Sequence, residues 1–260
     1  MAVIHRTTMT PTKHELLAAW LPSRSWYQGS GGPAELTAAD LTAAGGFRID
    51  DPQGEVGLEF MVVTDGSGGT PVTYQVPLTY RGAPPAGAEA ALIGTSEHGV
   101  LGTRWIYDGA HDPVLVGQLL ALLAGETAAQ AQRESNVPDP TVEARPEGPG
   151  VPADLTRRPG GPADTADATV LAVGPAGQPG AAPLTLSLTR VLRPGPAAGD
   201  GLLGQVLAGW TAPDGAGLRG AFAVLRETGR PGGGDGAGLP LHRPARRGTL
   251  APPSRSHRRR

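Results

Sequence analysis

The 260-residue sequence contains 40 Gly and 27 Pro, no Cys, 4% aromatic residues and a formal net charge of −2. This Gly and Pro content approaches that of low-complexity sequence, so we predict two small folded units with irregular segments instead of one large domain. Without Cys the chain cannot form a disulfide framework or a thiolate zinc site. No apolar run reaches the roughly 20 residues of a membrane helix, and no signal-peptide core is visible, which predicts a cytoplasmic protein.

The first elements are a short strand and a helix. Residues 2–7 include the β-branched Val3 and Ile4, which favour a strand. The run Thr10-Pro11-Thr12 predicts a helix start, with a Thr as N-cap and Pro at the first helical position. Leucine and tryptophan side chains at residues 16, 17, 20 and 21 then share one helical face, and Pro22 ends the helix.

A β-hairpin follows. Residues 27–44 predict a loop, and a second strand is predicted to begin at Phe47. Residues 55–64 and 70–79 alternate in side-chain character around the turn cluster 65–69, which is typical of a hairpin. Pro77 has no amide proton, so it should lie at a sheet edge or late in the ladder.

The last elements of the first unit are a strand and a second helix. Residues 82–91 predict a connection, and residues 99–107 predict a strand. Asp112 and Pro113 have the residue types of an N-cap and a first helical position, and the apolar run 114–123 continues the helix. The predicted fold class is α+β, an antiparallel sheet with helices packed on one of its faces.

The remainder of the chain divides by composition. We predict a first domain over 1–127, a Pro/Gly-rich linker over 128–167, a small antiparallel β-meander over 168–226 and a disordered basic tail over 227–260. From Arg226 onward there are nine Arg residues against Glu227 and Asp235. Such a tail could bind anionic partners nonspecifically, or it could be an accidental extension in a GC-rich gene. No other nucleic-acid contact is expected.

The segment 95–125 collects the candidate functional residues, namely His98, Trp105, Tyr107, Asp108 and His111. These five could form a ligand or partner surface, although aromatic residues on a strand more often belong to a core. The spacing of His98, His111 and Asp112 matches no compact metal motif, and Asp112 is already explained as a helix cap. No metal is therefore predicted.

Other chemistry finds little support in the sequence. Ser96, Glu97 and His98 are adjacent, so their side chains cannot converge as a catalytic triad does. Glu55 and Glu59 share a strand face, but we interpret them as a solvated row and not as a glycosidase pair. No Gly-rich phosphate loop precedes the single lysine, Lys13. We therefore predict no catalytic residue.

Several segments together resemble a known family. They are AVIHRTT at 2–8, LLAAWLPSRSWY at 16–27, GFRIDDPQGEVGLEFMVVTD at 46–65 and VPLTYRGAPPAGAEAALIGTSEHGVLGTRWIYDGAHDPV at 76–114. Residues 1–125 resemble the N-terminal cap domain of maltokinases, including stand-alone cap-like proteins often labelled as α-glucan branching proteins. A weaker similarity to those stand-alone proteins continues to about residue 225.

The resemblance implies a cystatin-like cap, a curved antiparallel sheet crossed by a helix. In maltokinases this cap precedes a kinase-like body that transfers phosphate from ATP to maltose. That body requires a catalytic Asp and a metal-binding Asp, and no matching motif follows residue 125. The expected cofactor set is therefore none, with ATP and Mg²⁺ entering only through a kinase partner.

The sequence thus predicts a non-catalytic, cap-like protein of maltose and glycogen metabolism. It would act as a binding or regulatory module on a maltokinase or another α-glucan enzyme, or on maltose or α-glucan itself. The alternatives are a component of a kinase-like transferase and a carbohydrate-binding module that uses Trp105, Tyr107 and Trp210. No membrane partner is expected.

Overall fold

A computed structural model describes residues 8–29, 35–132, 134 and 136–229. The strands are β1 (Met9–Thr10), β2 (Leu41–Ile49), β3 (Gly57–Asp65), β4 (Val72–Arg81), β5 (Leu92–His98), β6 (Gly102–Asp108), β7 (Gln130–Ala131), β8 (Glu143–Pro146), β9 (Leu155–Arg157), β10 (Ala163–Asp164), β11 (Ala168–Pro175), β12 (Leu184–Thr189), β13 (Leu202–Thr211) and β14 (Gly217–Glu227). The helices are α1 (Lys13–Trp20) and α2 (Pro113–Leu123), with 3-10 turns at Leu21–Ser23, Ala38–Asp40, Glu89–Ala91 and Gly109–His111. The strand predicted at 2–7 lies outside the described residues.

The strands form two antiparallel sheets. The first has the order β1-β5-β6-β4-β3-β2-β7. The second has the order β10-β11-β12-β14-β13-β8, and β9 also pairs with β11. The described residues up to Thr228 belong to one compact unit. Antiparallel sheets with two helices agree with the predicted α+β class in its broad outline.

Helix α1 begins at Lys13, two residues later than the predicted first position, Pro11. Thr12 is its N-cap, and Thr12 and Glu15 form a capping box, so Pro11 lies before the helix and not at its first position. Helix α2 begins as predicted, because the Asp112 side chain accepts a hydrogen bond from the Val114 N–H and Pro113 occupies the first turn.

The two helices lie on opposite faces of the first sheet, so the prediction that they share one face was wrong. Leu58, Phe60 and Val62 of β3 belong to the cluster that contains α2, whereas Met61 and Val63 belong to the cluster that contains α1. Successive strand residues point to opposite faces. Both faces of β3 are consequently covered, and its residues are almost all buried.

Two strands of the first sheet were missed or shortened in the prediction. Strand β5 was not predicted, because residues 92–98 were left between the connection 82–91 and the strand 99–107. Strand β2 was expected to start at Phe47, although it starts at Leu41. Gly45 and Gly46 conceal the start of β2, because glycine is normally depleted in strands. Gly46 has a φ of +133°, and a Cβ there would lie 2.3 Å from the Phe60 carbonyl oxygen.

The interior strand β4 tolerates Pro77 because one edge of the strand is divided between two partners, β6 and the segment after β12. Strand β6 pairs only with Leu78–Arg81 of β4. Earlier along β4, Tyr74 forms an isolated antiparallel bridge with Val191, which follows β12. On that edge Pro77 lies between the bridge and the β6 ladder, so its missing N–H costs no ladder hydrogen bond with β6. It is neither at a sheet edge nor late in the ladder with β3, where it pairs with Phe60, so the predicted position was wrong.

The second sheet differs from the predicted meander. Strand β12 pairs with β14, and β13 lies on the far side of β14. The reason is the connection after β12, in which Leu192 N–H bonds to the Thr73 carbonyl and Gln75 N–H bonds to the Arg190 carbonyl. The chain first pairs with β4 and only then returns to the second sheet.

The predicted linker contributes the short strands β7 to β10. Strand β7 pairs with β2 of the first sheet, and β8 pairs with β13 of the second. Apolar side chains of the two sheets form one buried cluster, in which the Phe47 and Phe60 rings stack at 4.5 Å and Phe222 lies 5.7 Å from Phe47. The predicted domain boundaries themselves stay a prediction.

Candidate functional site

The candidate residues lie on the β5–β6 hairpin and the turn that follows it. His98 ends β5, Trp105 and Tyr107 lie within β6, Asp108 ends β6, and His111 ends the 3-10 turn before α2. The hairpin pairing places His98 opposite Gly102 at one end and Tyr107 opposite Leu92 at the other. The five residues therefore do not form one continuous cluster.

Asp108 is buried and forms a two-oxygen ion pair with Arg190. Arg190 Nη2 lies 2.8 Å from Asp108 Oδ1 and 2.6 Å from Oδ2, and the Arg190 side chain is fully buried. The Ala110 N–H also donates to Asp108 Oδ1 at 3.1 Å. Because both carboxylate oxygens are engaged inside the fold, Asp108 is unsuited to act as a base towards an external substrate.

Arg190 makes this ion pair part of the junction between the two sheets. Its Nε donates to Thr169 Oγ1 at 2.7 Å, and that hydroxyl donates to Asp164 at 2.6 Å. The Arg190 guanidinium also lies against the Trp26 ring, with Cζ 5.0 Å from the ring centre. Arg190 thus connects β6 of the first sheet with β10 and β11 of the second.

Gln75 reinforces the same junction. It is fully buried, and its Nε2 donates to the Thr189 carbonyl at 2.9 Å and to the Phe222 carbonyl at 3.2 Å. Burying an amide is costly unless it is hydrogen-bonded, and these contacts satisfy the Gln75 Nε2 group, while Oε1 has no partner among the described residues.

His111 is exposed and lies near the same ion pair. Its carbonyl accepts a hydrogen bond from Arg157 Nη1 at 3.2 Å. Partial burial of the ring lowers the pKa of His111. Of the nearby charges, Asp108 raises this pKa and Arg190 lowers it. His111 is the one candidate near Asp108 whose side chain reaches solvent.

His98 shapes the turn of the β5–β6 hairpin. Its Nδ1 accepts hydrogen bonds from the Val100 and Leu101 N–H groups, at 3.3 and 3.1 Å. Arg104 Nη2 donates to the Leu101 carbonyl at 2.7 Å. His98 thus satisfies backbone N–H groups of the turn, while the Val100 and Leu101 side chains remain exposed to solvent.

Trp105 and Tyr107 share a sheet face with Arg81 and Thr79, their partners on β4. Tyr107 is buried, whereas Trp105 is half-buried. Desolvation raises the pKa of Tyr107, with a smaller contribution from Glu89. Trp210, proposed as part of a sugar platform, is buried between the sheets, where it contacts Phe222.

Arg81 anchors the start of α2 on this face. Its Nε and Nη2 donate to Asp112 Oδ2 and Oδ1, each at 2.7 Å. Burial alone would raise the pKa of Asp112, but the hydrogen bonds from Arg81 and Val114 lower it overall. Asp112 therefore combines a helix cap with an ion pair, and neither role requires a metal.

The prediction of a solvated row holds for Glu55, which is exposed and precedes β3, but it was wrong for Glu59. Glu59 is buried, and its carboxylate accepts hydrogen bonds from Lys13, at 2.8 and 2.6 Å, and from Tyr80 and Gln132. Desolvation by burial would raise the pKa of Glu59, yet Lys13 and these donors lower it. Glu59 fastens α1 to the sheet.

The sequence offered no signal for Arg190 or Lys13 as partners, because their contacts span 82 and 46 residues. Within the described part of the chain, no group of three or more His, Asp or Glu residues could hold a metal ion. Neither described helix is long and apolar enough to cross a membrane.

The hairpin tip, residues 98–102, carries the most exposed large apolar side chains of the described chain. Val100 is 60% exposed and Leu101 is 44% exposed. Leu92 and Val137 are the other exposed large apolar residues in that part of the chain, at 37% and 40%. Because the turn backbone is bonded to His98 and Arg104, the tip presents apolar surface with few unmet polar groups.

The fold and the site thus define an α+β sheet protein whose polar candidates mostly hold the structure together. Residues 20–112 match the model of a particular family, the maltokinase N-terminal cap domain. This confirms the predicted resemblance for that segment, which includes α2's cap residue Asp112 and the hairpin tip. A search of curated proteins found no match.

Proposed function

We propose that this chain is a non-catalytic, cap-like protein of maltose and α-glucan (glycogen) metabolism that binds a maltokinase-type enzyme as a regulatory module. The match of residues 20–112 to the maltokinase cap supports the enzyme class. The engagement of Asp108, Asp112 and Glu59 in internal ion pairs supports a binding role over a catalytic one. A cystatin-like arrangement and a cytoplasmic location belong to the same proposal.

The exposed hairpin tip is the observation that carries the proposal. Both faces of the first sheet are covered, one by the α1 cluster and the other by α2 and the second sheet. Strand β1 covers the end of β5, and β7 covers part of β2. Val100 and Leu101 remain as apolar side chains that a partner could bury, each contributing about 1.5–3 kcal/mol when fully covered.

A binding titration tests this proposal. The full chain is titrated with a maltokinase-type enzyme from the same organism, with and without ATP and maltose. We expect saturable binding that weakens at least about tenfold in the double variant Val100→Ser/Leu101→Ser. Val137→Ser is the matched control, because Val137 is similarly exposed but lies outside the segment that matches the cap.

The outcomes separate the alternatives. Absence of binding by the unaltered chain contradicts the proposal, and equal binding by the double variant removes the tip from it. Saturable ATP binding by the chain alone would favour a kinase-like transferase component. Quenching of tryptophan fluorescence by maltose or glycogen, lost in Trp105→Ala, would favour a carbohydrate-binding module.

A further inference from the structure

Two fully buried nitrogen donors at the junction of the sheets have no acceptor among the described residues. They are the indole Nε1 of Trp26 and the Nη1 of Arg190. Both side chains have essentially no exposed surface. More than about 90% of buried polar groups in folded proteins are hydrogen-bonded, and an unmet charged donor is especially costly.

These two donors belong to side chains that pack against each other. The Arg190 guanidinium covers the Trp26 ring, with Cζ 5.0 Å from the ring centre. The other Arg190 nitrogens are satisfied, since Nη2 bonds to Asp108 and Nε bonds to Thr169. Tyr74 packs against Trp26 at 5.8 Å, but its hydroxyl is already bonded to the Gln28 N–H.

The charges around Trp26 and Arg190 determine which kind of acceptor can satisfy the two nitrogens. Arg190 and Asp108 together are neutral, so an anion would add a buried charge without a counter-charge. A neutral acceptor with two lone pairs fits better, and internal water molecules commonly bridge such polar groups. We propose that one internal water molecule binds between Trp26 and Arg190 and accepts a hydrogen bond from Nε1 and from Nη1.

This water site extends the ion pair of Arg190 and Asp108 into a network that reaches Trp26. The network then links β6, the segment after α1, and the connection after β12. The water site lies at the junction of the two sheets and is independent of the proposed enzyme partner.

A crystal structure of the full chain at about 1.5 Å resolution or better tests the site. We expect one spherical density peak at about 2.7–3.2 Å from both nitrogens. In solution, the Trp26 indole proton should show a cross-relaxation signal from a long-lived water, assigned by its disappearance in Trp26→Phe. In crystals of Trp26→Phe, the peak beside Arg190 Nη1 should lose occupancy, because one of its two donors is gone.

Three results would overturn the inference. The first is a well-ordered Trp26 and Arg190 without density between them. The second is a protein acceptor that takes both hydrogen bonds, for example Gln75 Oε1, which is buried and has no partner among the described residues. The third is an indole proton of Trp26 that gives no water signal while the chain remains folded by circular dichroism.

Discussion

Removing one member of the Arg190–Asp108 pair should destabilise the whole described fold. Asp108 is a buried residue, and in Arg190→Met its carboxylate would keep, among the described residues, the Ala110 N–H as its donor. Removing one partner of a buried pair costs about 3–5 kcal/mol, a large fraction of the roughly 5–15 kcal/mol that stabilises a typical domain. The loss of the Thr169 contact adds to this cost.

The assay is urea unfolding followed by tryptophan fluorescence and by circular dichroism. The single variants Arg190→Met and Asp108→Leu should each lower the free energy of unfolding by about 3–5 kcal/mol. The double variant should cost clearly less than the sum, since it leaves no unpaired buried charge. Because the pair joins the two sheets, both probes should report one transition.

The exposed pair of Arg219 and Glu143 is the matched control. Their side chains are 40% and 51% exposed, so Arg219→Met should change stability by only about 0–1 kcal/mol. If Arg190→Met costs no more than Arg219→Met, or if the two probes show separate transitions in the unaltered chain, the reasoning about the junction fails.

Three further predictions concern local contacts. Asp112→Ala should lower the free energy of unfolding by about 1–3 kcal/mol, because the α2 cap and the Arg81 pair are lost. The pKa of Asp112 is lowered in the fold, so its stabilisation is present above about pH 3.8 and is lost as the pH falls through the folded pKa. The acid unfolding curve of the variant should lack this pH-dependent contribution. Lys13→Met should destabilise the chain, measured by urea unfolding, because Glu59 then remains buried without its cation, and Glu59→Gln in the same background should recover part of the loss. Gly46→Ala should lower the melting temperature, because its φ of +133° and its approach to the Phe60 carbonyl exclude a Cβ, whereas Gly54→Ala, where no atom lies within 4 Å but φ is also positive, should cost less.

The local elements of the fold were predictable where residue patterns are strong. The alternation along 55–64 and 70–79 predicted the hairpin of β3 and β4, and Asp112-Pro113 predicted the start of α2. These signals act over a few residues, so the sequence carries them directly.

The elements that were missed depend on distant partners. Strands β7 to β10 have few large apolar residues, and they are strands because β2, β11 and β13 offer edges to pair with. The crossover after β12 is likewise set by its pairing with β4. Propensity over a short window cannot register such pairings.

The candidate site was predicted as a collection of polar residues but not as an ion-pair junction. Asp108 stood out beside Trp105 and His111, yet its role follows from Arg190, which lies 82 residues away. Glu59 was expected in a solvated row because alternation suggested an outer face, but α1 covers that face and brings Lys13 to it. Long-range charge pairs of this kind emerge only from the folded arrangement.

The central proposal is that the polar residues of the hairpin and of the turn that follows it stabilise the fold and take no part in catalysis. The most direct measurement is transfer of labelled phosphate from ATP to maltose by the purified full chain alone, with its folded state checked by circular dichroism. The account predicts no transfer above the protein-free rate. Transfer by the unaltered chain that is lost in a folded Asp108→Asn variant would contradict it.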